Sequence, residues 1–234
     1  MSFDRLAPAR RGEINCWIFD LDNTLYRADV AFFSQIDRKM TQFISRYLAL
    51  GHDEARLLQK QYLVEYGTSL SGLMAVNGMD PAEFLDFVHD VDVSMLAPNP
   101  DLRRAIDALP GRKFIYTNGS RGHAKNVATH LNLFDLFDGS FGIEDSHYTP
   151  KPKRAAYDMF CESYNIEPRR AMFFEDSARN LLAPHAMGMA TLLVTSDMDW
   201  GHEPEAVRPQ AQSAEPHIDV VTSDLTRWLT SRCG

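Results

Sequence analysis

The sequence predicts an α/β protein: a parallel sheet covered on both faces by helices, with a helical segment inserted after the first strand. Two patterns carry the prediction. Five short apolar runs, each followed by polar residues, alternate with segments of helical spacing, the order expected of a parallel sheet with crossover helices. One long stretch near the amino terminus breaks that alternation with apolar residues every three or four positions. At 234 residues the chain is long enough for one domain carrying a smaller insert.

Taken in order, residues 1–13 alternate charged and small side chains and hold no apolar stretch followed by a small-residue cleavage site, so a cytoplasmic location is expected. The first strand is expected at 14–19. From 28 to about 96 no strand pattern is visible. There Phe32, Ile36, Met40, Phe43, Tyr47 and Leu50 recur at helical spacing, and Leu58, Tyr62, Phe84, Phe87, Val88 and Val91 continue the pattern between Gly51, Gly67, Gly72, Gly78 and Pro81. These apolar stripes are expected to pack helix against helix. Strands follow at 113–117, 171–174, 190–195 and 217–222, with helices at 101–109, 122–131, 153–164 and 179–187. A solvated loop is expected over 197–216, and a last helix near 225–229, capped by Ser223 or Asp224. The chain thus divides into a core of residues 1–26 and 97–234 and an insert of residues 27–96.

Composition narrows the function classes. With 44% hydrophobic and 24% charged residues the chain is of ordinary globular type, and no apolar run approaches the roughly 18 residues of a membrane helix. A net charge of -8 argues against a protein that works by neutralising a nucleic-acid backbone, yet leaves room for a small anionic substrate. Cys16, Cys161 and Cys233 are widely spread and form no C-x-x-C, so neither a zinc ribbon nor a disulfide framework is indicated; Cys16 is expected buried in the first strand. The eight histidines show no metal-ligand spacing, and His123 and His130, on one predicted helix, are expected at the surface or in packing. The oligomeric state is left open.

In an open parallel sheet, ligands bind at the carboxyl ends of the strands. There the sequence reads Phe19-Asp20-Leu21-Asp22-Asn23-Thr24 after the first strand, Tyr116-Thr117-Asn118-Gly119 after the second and Phe174-Glu175-Asp176-Ser177 after the third, with Thr149-Pro150-Lys151-Pro152 just before a helix. Each alone is an ordinary turn, cap or surface lysine. Their joint occurrence, in this order, closely resembles the four motifs of the haloacid dehalogenase-like hydrolase superfamily, over almost the whole chain. The resemblance implies a three-layer Rossmann-like core with a type-one helical cap. It also implies Asp20 as nucleophile, Asp22 as general acid and base, Thr117, Asn118 and Lys151 as phosphate holders, and Mg²⁺ held by Asp20, Asp176 and the backbone carbonyl of Asp22, with Glu175 as a further ligand or a neighbouring acid. The chemistry suits these residue types. A carboxylate nearing a phosphate dianion at about 4 Å meets repulsion of several kcal/mol at an effective dielectric of about 20, and a hard, oxygen-preferring cation offsets it.

Asp22 discriminates further, because relatives that dehalogenate lack an acid there. Residues 65–73 and 173–181 are similar to the pyrimidine 5'-nucleotidase branch, which implies a nucleoside monophosphate as substrate and gives Tyr66 and Thr68 a candidate role in contacting it. The runner-up is a phosphatase or phosphomutase for sugar phosphates or phosphoglycolate. A non-catalytic phosphate-binding protein on the same fold is the alternative from another class.

Overall fold

The computed structural model describes residues 3–27, 30–196, 204 and 215–231. A seven-stranded sheet is built from β1 (Phe3–Asp4), β2 (Cys16–Phe19), β3 (Arg112–Tyr116), β4 (Gly139–Phe141), β5 (Ala171–Glu175), β6 (Ala190–Val194) and β7 (Val220–Thr222) in the order β1-β7-β6-β5-β2-β3-β4. Every pairing is parallel except β1 against β7. All five expected strands are present. The unexpected β1 and β4 are two and three residues long, too short to carry an apolar pattern.

Strands buried on both faces read as near-continuous apolar runs, and β2, β5 and β6 are buried at every position, with Glu175 the one charged residue among them. Alternate side chains go to opposite faces. Trp17, Phe19, Ile115, Met172, Phe174 and Leu192 join one hydrophobic cluster; Cys16, Ile18, Phe114, Tyr116, Phe173 and Leu193 join the other. The chain also forms α1 (Pro8–Glu13), α2 (Val30–Leu48), α3 (His52–Tyr66), α4 (Ser69–Asn77), α5 (Pro81–Val88), α6 (Pro100–Asp107), α7 (Arg121–His130), α8 (Arg154–Tyr164), α9 (Leu182–Met187) and α10 (Leu225–Thr230). Buried residues of α6, α7 and α10 pack on the first face and those of α8 and α9 on the second, which gives the three layers. The expected loop over 197–216 lies, apart from 204, 215 and 216, outside the described residues, as does Cys233.

Helices α2 to α6 lie between β2 and β3, and α2 to α5 fall within the expected insert. Their boundaries follow local chemistry: α3 ends at Gly67 with φ 85°, a left-handed conformation glycine adopts without cost. Thr68 Oγ1 then caps α4 by accepting from Ser71 N at 3.0 Å, and Asp80 with Pro81 opens α5. The aromatic stripe expected to pack helix on helix does so, with Phe43 edge-on to Phe84 at 5.2 Å between ring centres. Phe32, Phe43 and Phe84 belong to the same apolar cluster as Phe19 and Phe174 of the sheet, so the inserted helices are continuous with the core.

Candidate active site

Register sets the site. Phe19 lies opposite Ile115 of β3 and Phe174 of β5, so the residues that follow each strand emerge side by side at the carboxyl edge. Asp20 continues the ladder by donating its N–H to the Phe174 carbonyl at 2.9 Å. Lys151 Nζ donates to Asp20 Oδ1 and Glu175 Oε2, both at 2.7 Å, and to the Tyr116 carbonyl at 3.1 Å. This lysine is 1% exposed. Asn118 delivers it, because its side-chain amide accepts from the Lys151 N–H at 2.8 Å and donates to the Lys151 carbonyl at 3.2 Å. Thr24 Oγ1 donates to Asp20 Oδ2 at 3.3 Å, and Asn23, in the left-handed conformation (φ 60°) that Asn tolerates, donates to Asp176 Oδ2 at 3.1 Å.

Three acids crowd one point: oxygens of Asp20, Glu175 and Asp176 lie within 4.8 Å of one another. Burial and the Glu175 carboxylate push Asp20 up to about 8 against the pull of Lys151. Burial, Glu175 and Asp20 push Asp176 well above the ordinary carboxylate range. Burial works to discharge Lys151, but Asp20 and Glu175 hold it charged, above the usual lysine range. One ammonium thus pairs with two of the three crowded carboxylates. The mutual repulsion and the all-oxygen donor set fit a hard divalent cation.

Asp22 faces elsewhere. Its Oδ1 accepts from the Tyr26 hydroxyl and from His123 Nε2 at 3.2 Å. Burial raises this carboxyl, but His123 and the Tyr26 hydroxyl more than offset that and hold it below its ordinary value. Thr117 is buried, and its Oγ1 accepts from Gly119 N at 2.9 Å, which leaves the hydroxyl proton for another acceptor. Ser120 caps α7 by accepting from the His123 N–H at 3.1 Å.

A cleft of about 310 Å³ brings together Asp20, Asp22, Thr117, Asn118, Lys151 and Asp176, with Gly67 and Thr68 from the α3–α4 junction and Arg179 from the short 3₁₀ turn after β5. A second cavity of about 630 Å³ runs from Asp22, Asn118 and His123 in among the inserted helices. Thr68 lines both, whereas Tyr66 lines neither: its ring stands edge-on to Tyr62 at 5.6 Å and packs into the apolar cluster. Sequence reasoning missed Tyr26, His89, His123 and Arg179. His123, expected at the surface or in packing, is buried and reaches Asp22; the available signal was its place three residues beyond the Ser120 cap, in the turn nearest the strand ends.

Comparison with known proteins agrees with this geometry. The haloacid dehalogenase-like hydrolase model matches residues 14–188. Phosphate metabolism protein 8 of Saccharomyces cerevisiae is 27% identical over 86% of this chain and 66% of its own length. Validoxylamine A 7'-phosphate phosphatase of Streptomyces hygroscopicus is 29% identical over 49% of this chain and 48% of its own. The chain therefore spans about half to two thirds of the length of these relatives. L-2-haloacid dehalogenase of Xanthobacter autotrophicus shares the fold, with a TM-score of 0.56 and 15% identity, covering 93% of this chain and 97% of that one. With the family model matching well over half of its length and the motif residues gathered at one sheet edge, the chain belongs to the haloacid dehalogenase-like hydrolase family.

Proposed function

We propose that this chain is a Mg²⁺-dependent phosphatase that hydrolyses pyrimidine nucleoside 5'-monophosphates through a phosphoaspartate on Asp20, with residues 27–96 serving as a type-one cap over a core of residues 1–26 and 97–234. The observation that carries the reading is the separate setting of two carboxylates in one cleft: Asp20 is tied to Lys151 at 2.7 Å beside Asp176, while Asp22 is held apart by Tyr26 and His123. Unlike settings suit unlike tasks, one carboxylate for bonding to phosphorus and one for moving a proton.

An oxygen of Asp20 attacks phosphorus as Asp22 gives its proton to the departing ester oxygen. The arriving phosphoryl charge raises the proton affinity of Asp22, which the resting protein holds low. Asp22, ionised again, then takes a proton from the water that hydrolyses the phosphoenzyme, a role worth roughly 10² to 10⁴ in rate. Lys151 balances charge, and the Thr117 hydroxyl with the backbone amides near Asn118 and Gly119 holds phosphoryl oxygens. Asp20, Asp176 and the Asp22 carbonyl would hold Mg²⁺, with Glu175 beside them, and the ion supplies charge neutralisation when bound.

The nucleotide reading is supported by the segments similar to the nucleotidase branch, by Thr68 at the cleft wall, and by a second cavity that begins at Asp22, where a leaving group departs. The name of the Streptomyces relative supports a second reading, a small phosphate monoester other than a nucleotide. Phosphate release from a panel of nucleotides, sugar phosphates and phosphoglycolate, with and without Mg²⁺, separates the two. The expected result is Mg²⁺-dependent turnover with UMP and CMP among the better substrates. Much faster hydrolysis of purine nucleotides and sugar phosphates removes the nucleotidase reading and keeps the phosphatase.

A further inference from the structure

Both donors to Asp22 meet the same oxygen. Tyr26 and His123 reach Oδ1, and among the described residues no protein donor reaches Oδ2. Asp22 lines both cavities.

His123 is 2% exposed, its Nδ1 has no hydrogen-bond partner, and Asp22 is its only side-chain hydrogen bond among the described residues. A buried donor left unpaired is costly, so the single polar contact of this ring ties it to that carboxylate. A face of its ring lies against His89, 4.5 Å away between centres and tilted by 22°. His89 is the residue that ends α5 in the inserted helices. The two elements are fastened at the same spot, because Ser120 Oγ accepts from the His123 N–H and still has a proton for His89 Nδ1 at 2.9 Å. A continuous path therefore runs from the inserted helices through His89 and His123 to Asp22.

We infer that His123 is a positioning residue which, with Tyr26, locks the rotation of the Asp22 carboxyl so that Oδ2 alone carries the transferred proton, and that His89 makes this lock depend on the inserted helices being seated. The inference rests on the phosphatase reading above. In the first half-reaction the Oδ2–H bond breaks as the ester oxygen takes the proton, the ester oxygen–phosphorus bond breaks, and a bond from Asp20 to phosphorus forms. In the second, water oxygen bonds to phosphorus, the bond to Asp20 breaks, and a water proton returns to Oδ2. Oδ1, engaged by two donors, takes neither proton.

The test compares kcat/KM for an alkyl phosphate, whose leaving oxygen needs the proton, with that for p-nitrophenyl phosphate, whose leaving group barely does. In a two-step mechanism this parameter reports only events up to departure of the first product. His123→Ala is expected to lower the alkyl value at least about tenfold more than the p-nitrophenyl value, within the span of general acid catalysis. His123→Gln, which keeps an N–H donor, recovers part of the difference, and His89→Ala shows the same selectivity to a smaller degree. Equal losses on both esters from a folded His123→Ala protein overturn the inference and leave the phosphatase reading standing. A wild-type protein that releases phosphate from neither ester and from no member of the nucleotide and sugar-phosphate panel removes both. Imidazole nitrogen NMR gives a readout independent of turnover: His123 Nε2 is expected to carry a proton, and a bare Nε2 overturns the assignment.

Discussion

Lys151, proposed to balance charge in phosphoryl transfer, also has a structural part. Fully buried, it is the only cation in direct contact with Asp20 and Glu175 among the described residues. Removing it leaves two carboxylates unpaired in the interior, a change that typically costs about 3–5 kcal/mol. Lys151→Ala is therefore expected to lose stability on that scale in urea unfolding of the metal-free protein, besides losing turnover. A variant as stable as wild type shows the ion pairs to be dispensable. The motif residues Asp20, Asp22, Thr117 and Asp176 could be read from the sequence because strand order places them: whatever follows β2, β3 and β5 emerges at the same edge, and Lys151 is brought there by Asn118. His123 and Tyr26 could not, because their roles depend on which way a helix and a turn aim their side chains. Tyr66 marks the same limit, since its distance from the cleft is set by packing against Tyr62.

At the scale of elements, the inserted helices depend on a close approach that their apolar spacing does not reveal. Gly72 of α4 faces the Tyr62 ring of α3 so closely that an added Cβ stands 2.3 Å from Tyr62 Cγ. The ring is 5% exposed, and its hydroxyl donates to Asn77 Oδ1 at 3.0 Å, so it has little freedom to retreat. Gly72→Ala is expected to cost about 1–3 kcal/mol through overpacking, in spite of alanine's better helix propensity. Thermal unfolding is the measurement, and a raised melting temperature would show that α3 and α4 separate easily. The sequence showed Gly72 as punctuation between helices; it is a contact point within one. Element type was legible throughout the apolar-patterned regions, while β1 and β4 were not, because so short a strand is defined by its partner's hydrogen bonds.

For the whole molecule, the crowding of Asp20, Glu175 and Asp176 ties the fold to the cation it is proposed to bind. An ion that binds only the native state adds about 2.7 kcal/mol when present at 100 times its dissociation constant. Mg²⁺ is expected to raise the melting temperature, and Asp176→Asn to abolish most of that rise while leaving the protein folded. A melting temperature indifferent to Mg²⁺ in the wild type counts against the metal site. Among the described residues no helix is long and apolar enough to cross a membrane.

The antiparallel strand β1 has a role apart from the site. It covers the outer edge of β7, with Phe3 opposite Val221 and Asp4 opposite Val220, and is pinned where Asp4 accepts from Trp228 Nε1 at 3.2 Å and Arg5 N donates to the Asp219 carbonyl at 2.8 Å. Without it, an apolar Val-Val-Thr edge presents unpaired amides and carbonyls that template association with other chains. Deleting residues 1–6 should thus leave phosphate release per folded molecule intact but shift the protein toward concentration-dependent aggregates in light scattering; a deletion protein that stays monodisperse would mean this rim is shielded by other means.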